Sequence, residues 1–369
     1  MGKNLVVCCD GTGGQYGELN SNVVNLYKTL VQDEGQRCYY HPGVGTMGSP
    51  TSRNWAEATW STLLGLGFGA GLLTNVGDAY RYLMNSYEDG DAIYLFGFSR
   101  GAYTARAISA MLQMYGLLCP GNEGMIPYIL RMFAKRSRKD AGMQQQFAEA
   151  AGFKACFSRK VEVHCVGVWD TVSSVGLIWD PLKLAYTARN PCMKNGRHAI
   201  SIDERRCFFR NNLWGEAYEG QSVKQVWFAG THSDVGGSYT ATEAGLSQVT
   251  LEWMLNETTA LGLRVNPAKV EHVLGCAGSH PPVEPGPLQP VHESLKWYWW
   301  PLELIPRRVY DFTTGKRSWV IPLGRRRQIP PGSMFHETVK VKLAGDKSYK
   351  PTNLPAGWEG DVDPWVRWG

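Results

Sequence analysis

Residues 94–106 read Tyr-Leu-Phe-Gly-Phe-Ser-Arg-Gly-Ala-Tyr-Thr-Ala-Arg, an apolar run, a serine between two glycines, and a run with the composition of a helix. Gly97, Ser99 and Gly101 make the pattern G-x-S-x-G, which arises easily by chance and takes its weight from context. Here a strand is expected to end near Phe96 and a helix to begin near Ala102. A serine lifted on such a turn is forced into a sparsely populated backbone region, and its neighbours two residues away must lack Cβ atoms to avoid a clash. Gly97 and Gly101 meet that need. The helix N-terminus behind the serine favours a developing negative charge. The competing reading is a tight turn that carries a solvated serine.

Outward from this stretch, apolar runs alternate with helical periods. "NLVVCC" ends at Asp10, and "SNVVNLYKTLVQ" has helical spacing behind Ser21 or Asn22 as N-cap. "RCYYH", "DAIYLFGF", "VEVHCVGVW" and "VKQVWFA" read as strands. "NVGDAYRYLMNSY", "AYTARAISAMLQMYG" (closed by Gly116) and "EAGLSQVTLEWMLNETTALG" read as helices. This alternation predicts an α/β fold, a mostly parallel sheet with helices on both faces, in which ligands bind beyond the carboxyl ends of the strands. The predicted organisation is a catalytic α/β domain over 1–280, with 118–158 as a helical cap insertion. A Pro-rich linker over 281–290 carries five prolines, and a Trp- and Arg-rich extension over 291–369 packs on the core.

A serine hydroxyl needs a base, because it is a weak nucleophile at neutral pH. Of eight histidines, His232 lies just past a strand end in the Gly-rich "FAGTHSDVGGSY". His164 sits inside a strand run, His41 precedes Ser99, His198 has no apparent strand before it, and the other four fall around or after the proline segment. The third member should be a carboxylate that fixes the imidazole. Asp170 ends the strand "VGVW" between Ser99 and His232, giving the order Ser, Asp, His of α/β-hydrolases. Asp234 is its rival, two residues from His232. The oxyanion donors expected are the backbone N–H of Arg100 and that of Gly11 or Thr12, with Asp10 bracing their loop.

Three other chemistries fit less well. "CCDGT" approaches the D-x-D-x-T opening of haloacid-dehalogenase phosphatases, but Cys8 stands where the nucleophilic aspartate belongs. Gly11, Gly13 and Gly17 lack dinucleotide spacing. Asp10, Asp170, His232 and Asp234 would suit a hard metal in a phosphoesterase, yet their spacing is no metal signature. Neither metal nor cofactor is therefore expected. A hydrolase fold kept as an interaction module is the alternative from another class.

Composition sets outer limits. The chain has 369 residues, 43% of them hydrophobic, enough for a full core, and a net charge of +5 that does not by itself call for nucleic acid. Nine cysteines without a C-x-x-C pair, several inside apolar runs, point to a reducing compartment. The N-terminus enters a strand directly, with no classical signal peptide, and the apolar run "TLLGLGFGAGLLTNVGDAY" is broken by glycines and falls short of the roughly 20 apolar residues of a span. The expectation is a cytoplasmic protein, or one exported by a machine that reads no such signal, and not an integral membrane protein.

Taken in order, "VVCCDGTGG" with "SNVVNLYK", "GDAIYLFGFSRGAYTAR", "VGVWDTVSSVG", "RHAISIDERR" and "VWFAGTHSDVGGSY" resemble the catalytic domain of type VI secretion phospholipase effectors and their α/β-hydrolase relatives. The resemblance covers roughly residues 3–260. It implies a Ser-Asp-His hydrolase of ester bonds, with phospholipids as substrates of its best-known members, and puts the serine at Ser99, the acid at Asp170 and the base at His232. "RHAISIDERR" belongs to the resemblance too, and its charges are expected to pair beneath the site.

A lipid esterase meets an interface. "KWYWWPLELIPRR" (296–308) and Arg325-Arg326-Arg327 have the composition of a peripheral membrane contact. The preferred reading is plainer: the tryptophans pack the tail onto the core and the arginines form a solvated face, since proline breaks the segment and no helical period is visible.

Overall fold

The structure is a computed structural model, and it describes all residues except 1, 12–16, 18, 44–67, 136–139, 173–175, 178–179, 182–183, 277–282 and 313. Eight parallel strands form one sheet: β1 (Asn4–Cys9), β2 (Gln36–His41), β3 (Ala92–Phe98), β4 (Val163–Trp169), β5 (Met193–Ser201), β6 (Ser222–Phe228), β7 (Met334–His336) and β8 (Val362–Asp363). Their order in space is 2-1-3-4-5-6-7-8. The central strands β1, β3 and β4 are largely apolar because both faces of the sheet are covered. Leu5, Val7 and Cys9 of β1 enter one core, while Val6 and Cys8 enter the other.

The helices are α1 (Asn22–Thr29), α2 (Phe68–Ser86), α3 (Arg100–Tyr115), α4 (Ile126–Ala134), α5 (Asp140–Phe157), α6 (His232–Gly236) and α7 (Gly245–Thr259). α2 and α3 cover the first core with Tyr80, Leu83, Ile108 and Met111. α1 and α7 cover the second with Val23, Leu26, Leu251 and Met254. Ser21 caps α1 by accepting from the Val24 N–H at 3.3 Å, and Gly116 closes α3 at φ 70°. The apolar run around Gly65 begins outside the described residues and continues as α2, where Leu72 is buried.

β5 differs from the sequence reading, which saw no strand before His198. Its residues "MKNGRHAIS" do not look like a buried strand, but Arg197 and His198 each find a partner inside. Arg197 meets Glu257 at 2.5 Å, and His198 Nε2 accepts from the Thr171 N–H at 3.1 Å. Burial pushes the His198 pKa down to about 3, so its ring is neutral. His164 is likewise a satisfied strand residue, its Nε2 lying 2.9 Å from the Leu261 carbonyl.

The insertion around 118–158 places Ile126, Ile129, Phe133 and Phe153 in the first core. Phe133 and Phe153 meet Tyr115 of α3 edge-on, and Phe147 meets Tyr186, so these contacts extend the wall of the sheet. In the proline segment, the Val283 and Gly286 N–H groups donate to Ala241 and Gly245 carbonyls, and buried Lys342 donates to the carbonyls of Pro287 at 3.2 Å and Gln289 at 2.6 Å. Its described part is thus bound to the domain along its length. Beyond it, β7 and β8 extend the sheet, and Phe335, Val339 and Tyr349 form a third core with Ile200, Ile202 and Trp227. The tail supplies part of the sheet itself.

Two expectations about the tail change. Of Trp297 to Trp300, only Trp299 is buried, in a small cluster with Leu295 and Leu302, while Trp297, Tyr298 and Trp300 stay exposed. The arginine run is not a solvated face: Arg327 is buried, and Arg326 Nε lies 3.2 Å from Asp203 Oδ1.

The turn between β3 and α3 is built on absent side chains. A Cβ on Gly97 would sit 2.3 Å from the Gly101 carbonyl oxygen, and one on Gly101 would sit 2.2 Å from that of Cys9. These obstacles are backbone and cannot rotate away. We expect Gly97→Ala and Gly101→Ala each to destabilise the fold by about 1–3 kcal/mol or more, read as a lower urea midpoint, whereas Ala at Gly121, which has open space but φ of 90°, should cost only the smaller backbone strain of roughly 1 kcal/mol.

Candidate active site

The order 2-1-3 reverses the direction of winding between β1 and β3, the point where open α/β sheets leave a crevice at their carboxyl edge. Ser99, Asp170 and Gly11 lie just past the carboxyl ends of β3, β4 and β1. Ser99 has φ 58° and ψ −118°, a strained conformation for a residue with a side chain. Its N–H donates to the Trp169 carbonyl at 3.0 Å, which holds the turn against β4. Arg100 follows as the first residue of α3, so its N–H belongs to the helix turn whose amides have no intrahelical acceptor.

Ser99, His232 and Asp170 meet. His232 Nδ1 lies 2.5 Å from Asp170 Oδ2, and His232 Nε2 lies 2.8 Å from Ser99 Oγ. An ionised carboxylate only accepts, so Nδ1 carries the proton and Nε2 is left to accept from the serine hydroxyl. His232 begins the short helix α6, and its ring lies between Phe98 and Phe209, with centroids 4.6 and 4.8 Å away. Gly236 gives Phe98 room, since a Cβ there would be 1.8 Å from the ring. Burial lowers the His232 pKa below its ordinary value, against the opposing pull of Asp170.

Asp170 itself is in the left-handed region, at φ 39°, and wholly buried. Ser201 donates to its Oδ1 through N–H at 3.0 Å and hydroxyl at 3.1 Å. Arg327 forks onto both oxygens, Nη1 to Oδ1 at 2.5 Å and Nη2 to Oδ2 at 2.9 Å. The other Arg327 donors reach the Ser201 hydroxyl and the Phe209 carbonyl, so all five N–H groups of the guanidinium are used. Burial alone would raise the Asp170 pKa, but Arg327 and His232 outweigh it and hold the carboxyl far below the usual range. Nothing in the sequence marked Arg327. It is the third of three arginines, and 157 residues separate it from Asp170.

The remaining predicted residues have other partners. Asp234 does not face the His232 ring: its carboxylate caps α6 by accepting from the Thr231 N–H and hydroxyl, each at 2.9 Å, and binds His292 Nδ1 at 2.6 Å. Asp10 accepts from the Gly11 N–H at 2.7 Å, Ser21 hydroxyl at 2.8 Å and Tyr40 hydroxyl at 2.7 Å, which ties the β1 loop to α1 and β2. Burial raises the Asp10 pKa against these three donors. Gly11 stands beside the serine, where its Cβ would come within 3.5 Å of Ser99 Cβ. Its N–H, expected as an oxyanion donor, donates to Asp10 Oδ1 in this structure. Thr12, the alternative donor, lies outside the described residues.

The charged motif "IDERR" pairs beneath the site, and Glu204 does more than expected. It is fully buried, accepts from the His232 N–H at 3.2 Å, and grips Arg206 through both oxygens at 2.9 Å. Arg206 lies over the Phe209 ring at 3.6 Å, so the pair clamps both backbone and ring contacts of His232. Its pKa falls to about 2, because Arg206 overcomes the cost of burial. Asp203 accepts from the Gly230 N–H and the Tyr349 hydroxyl, each at 2.8 Å. All oxygens of Asp10, Asp170 and Asp234 are engaged by protein donors, which argues against a metal held by these three carboxylates with His232.

Among the described residues, no helix is long and apolar enough to cross a membrane. All nine cysteines are free thiols. The chain is 36% identical over 220 residues to "Uncharacterized protein YEL023C" of Saccharomyces cerevisiae, which covers 57% of this chain and 32% of the yeast protein. A solved structure of an uncharacterized Pseudomonas aeruginosa protein aligns with a TM-score of 0.43 and 20% identity, over 73% of this chain and 47% of that one. The structure of the Tle1 effector bound to the VgrG spike from the type 6 secretion system aligns with a TM-score of 0.36 and 17% identity, over 66% and 52%. The chain therefore spans about a third to a half of the length of these relatives. The family model for the catalytic domain of Tle1-like type VI secretion phospholipase effectors matches residues 3–257. With more than half its length covered by that match and a parallel α/β sheet beneath it, the chain belongs to the family of Tle1-like type VI secretion phospholipase effector catalytic domains.

Proposed function

We propose that this chain is a serine hydrolase of carboxylic esters, with a phospholipid or other acyl lipid as substrate. The observation that carries the reading is the continuous hydrogen-bonded row Ser99–His232–Asp170–Arg327 at the carboxyl edge of the sheet. Ser99 Oγ attacks the ester carbonyl carbon while His232 Nε2 takes the hydroxyl proton. Asp170 accepts from Nδ1–H and stabilises the imidazolium. The tetrahedral oxyanion is met by the Arg100 N–H at the start of α3. His232 then protonates the leaving alcohol, the C–O bond breaks, and water delivered through the same base releases the acyl group.

Arg327 is a positioning residue in this scheme. It touches no substrate atom, but it neutralises a carboxylate that is otherwise buried and fixes the plane in which Asp170 meets His232. Neutral His232 is the form that works. Its lowered pKa keeps the base ready below the pH at which a free imidazole would be half protonated.

Fluorophosphonate labelling tests the reading directly: wild-type protein should be labelled, Ser99→Ala should not, and a folded wild type that resists the probe would overturn it. A panel of phospholipids, triglycerides and short p-nitrophenyl esters should lose turnover in Ser99→Ala by about 10³-fold or more. The pH profile has a defined sign. Since protonation of His232 abolishes its function and its pKa is lowered from 6.5, the acid limb of kcat/KM should have its midpoint below pH 6.5.

Arg327→Gln should lower kcat by about 10²-fold through misplacement of Asp170 and destabilise the fold by about 3–5 kcal/mol, since one buried charge loses its partner. With Arg327 gone, Asp170 attracts the His232 proton more strongly, so the acid limb should move to higher pH. Arg327→Lys, which keeps the charge but not the fork, should restore the limb more than kcat. A purely structural role would leave the limb where it was.

A further inference from the structure

The hairpin formed by strands Arg307–Asp311 and Lys316–Val320 lies outside the central sheet. Its register pairs Arg308 with Trp319 and Tyr310 with Arg317. Side chains alternate across a strand, so these four residues share one face, and all four are exposed. That face therefore alternates aromatic and cation across the strands, with the Arg308 guanidinium 5.6 Å from the Trp319 ring. The opposite face turns inward through Arg307, which is buried, packs over the Phe208 ring at 4.1 Å and donates to the Cys207 carbonyl.

The turn that precedes the hairpin is exposed as well. Trp297 is 83% exposed and Trp319 64%, an arrangement that water does not favour for such large rings. Trp300 lies against Gly324, at the point where the hairpin returns, and the Leu323 N–H donates to the Glu303 carbonyl at 3.1 Å, so turn and hairpin form one surface. The turn is joined to the candidate active site by edge-to-face rings: Trp299 meets Phe209 at 5.6 Å, and Phe209 meets His232 at 4.8 Å.

We propose that this aromatic and basic surface docks the protein on a lipid bilayer that carries anionic headgroups. Tryptophan and tyrosine favour the headgroup layer, where an apolar ring and a polar edge are both accommodated. Arg308 and Arg317 add attraction to negative lipid. A protein partner would have to cover an open face whose cations lie between rings, whereas mixed headgroups and acyl carbons match that alternation directly. Docking here brings the crevice at Ser99 next to the layer that holds the ester. The inference rests on the proposed lipid hydrolase reading for its purpose, though the binding itself needs no catalysis.

The test uses the 369-residue chain carrying Ser99→Ala, which leaves vesicles intact, and sedimentation with sucrose-loaded vesicles of phosphatidylcholine alone or with phosphatidylglycerol. Binding should be strong on the mixed vesicles. Arg308→Gln with Arg317→Gln should weaken binding to them by about 25-fold, at about fivefold per cation near the surface, while leaving the weaker binding to neutral vesicles unchanged. Trp297→Ser with Trp319→Ser should weaken binding to both. In the wild-type background, all of these variants should keep turnover of a soluble short-chain ester, which also reports that they fold. Unchanged partitioning in both double variants would overturn the proposal. So would a wild-type dimer that the tryptophan changes dissociate, since the face would then be an interface between copies. Vesicle binding without ester hydrolysis in any variant would count against the enzyme reading and leave the docking surface standing.

Discussion

The contact between Asp170 and Arg327 is the constraint on which the rest of this structure depends. A carboxylate with no exposed surface is tolerated only when its charge is matched and its lone pairs are filled. Arg327 does both with a planar fork, and Ser201 completes the shell. Held in this way, Asp170 keeps one direction open, toward His232 Nδ1. The strained backbone at Ser99 and at Asp170 is sustained by the same surroundings, because β3, β4 and β5 are locked in register behind them.

The source of Arg327 has a consequence for the architecture. The family match ends at residue 257, yet the partner of the buried aspartate comes from the tail, as does His292, which binds Asp234. β7 and β8 anchor that tail to the sheet, and Lys342 ties down the proline segment between them and the rest of the domain. The catalytic-domain core and the tail are one folding unit in this chain. The aromatic hairpin is the part of the tail that leaves the core, and it does so beside the site.

Much of the site was legible in the order of the chain. Ser99 could be read because strand, glycine pair and helix are local features. Asp170 and His232 could be read because each closes a strand run, and parallel strands bring such ends to one edge. Arg327 and Glu204 could not. An arginine in a basic run and a glutamate in "DERR" look like solvated charge, and only the fold removes them from water and gives each a partner. β5 was missed for the same reason, since Arg197 and His198 hide a strand in which Arg197 pairs with Glu257 and His198 Nε2 accepts from the Thr171 N–H. The tryptophans erred in the other direction: burial was the economical expectation, and three of the four rings and phenols in 297–300 remain in solvent.

By itself, the sequence determined the alternation of strands and helices, the parallel sheet they imply and the positions of serine, aspartate and histidine, because these follow from periodicity and from glycines where no Cβ fits. The tertiary structure alone decided which charges are buried, which Gly11 atom is already bonded and which aromatic rings face outward. Those outcomes depend on partners separated by as many as 157 residues, and the free energy of a charge or a ring depends on what surrounds it, not on its neighbours in the chain.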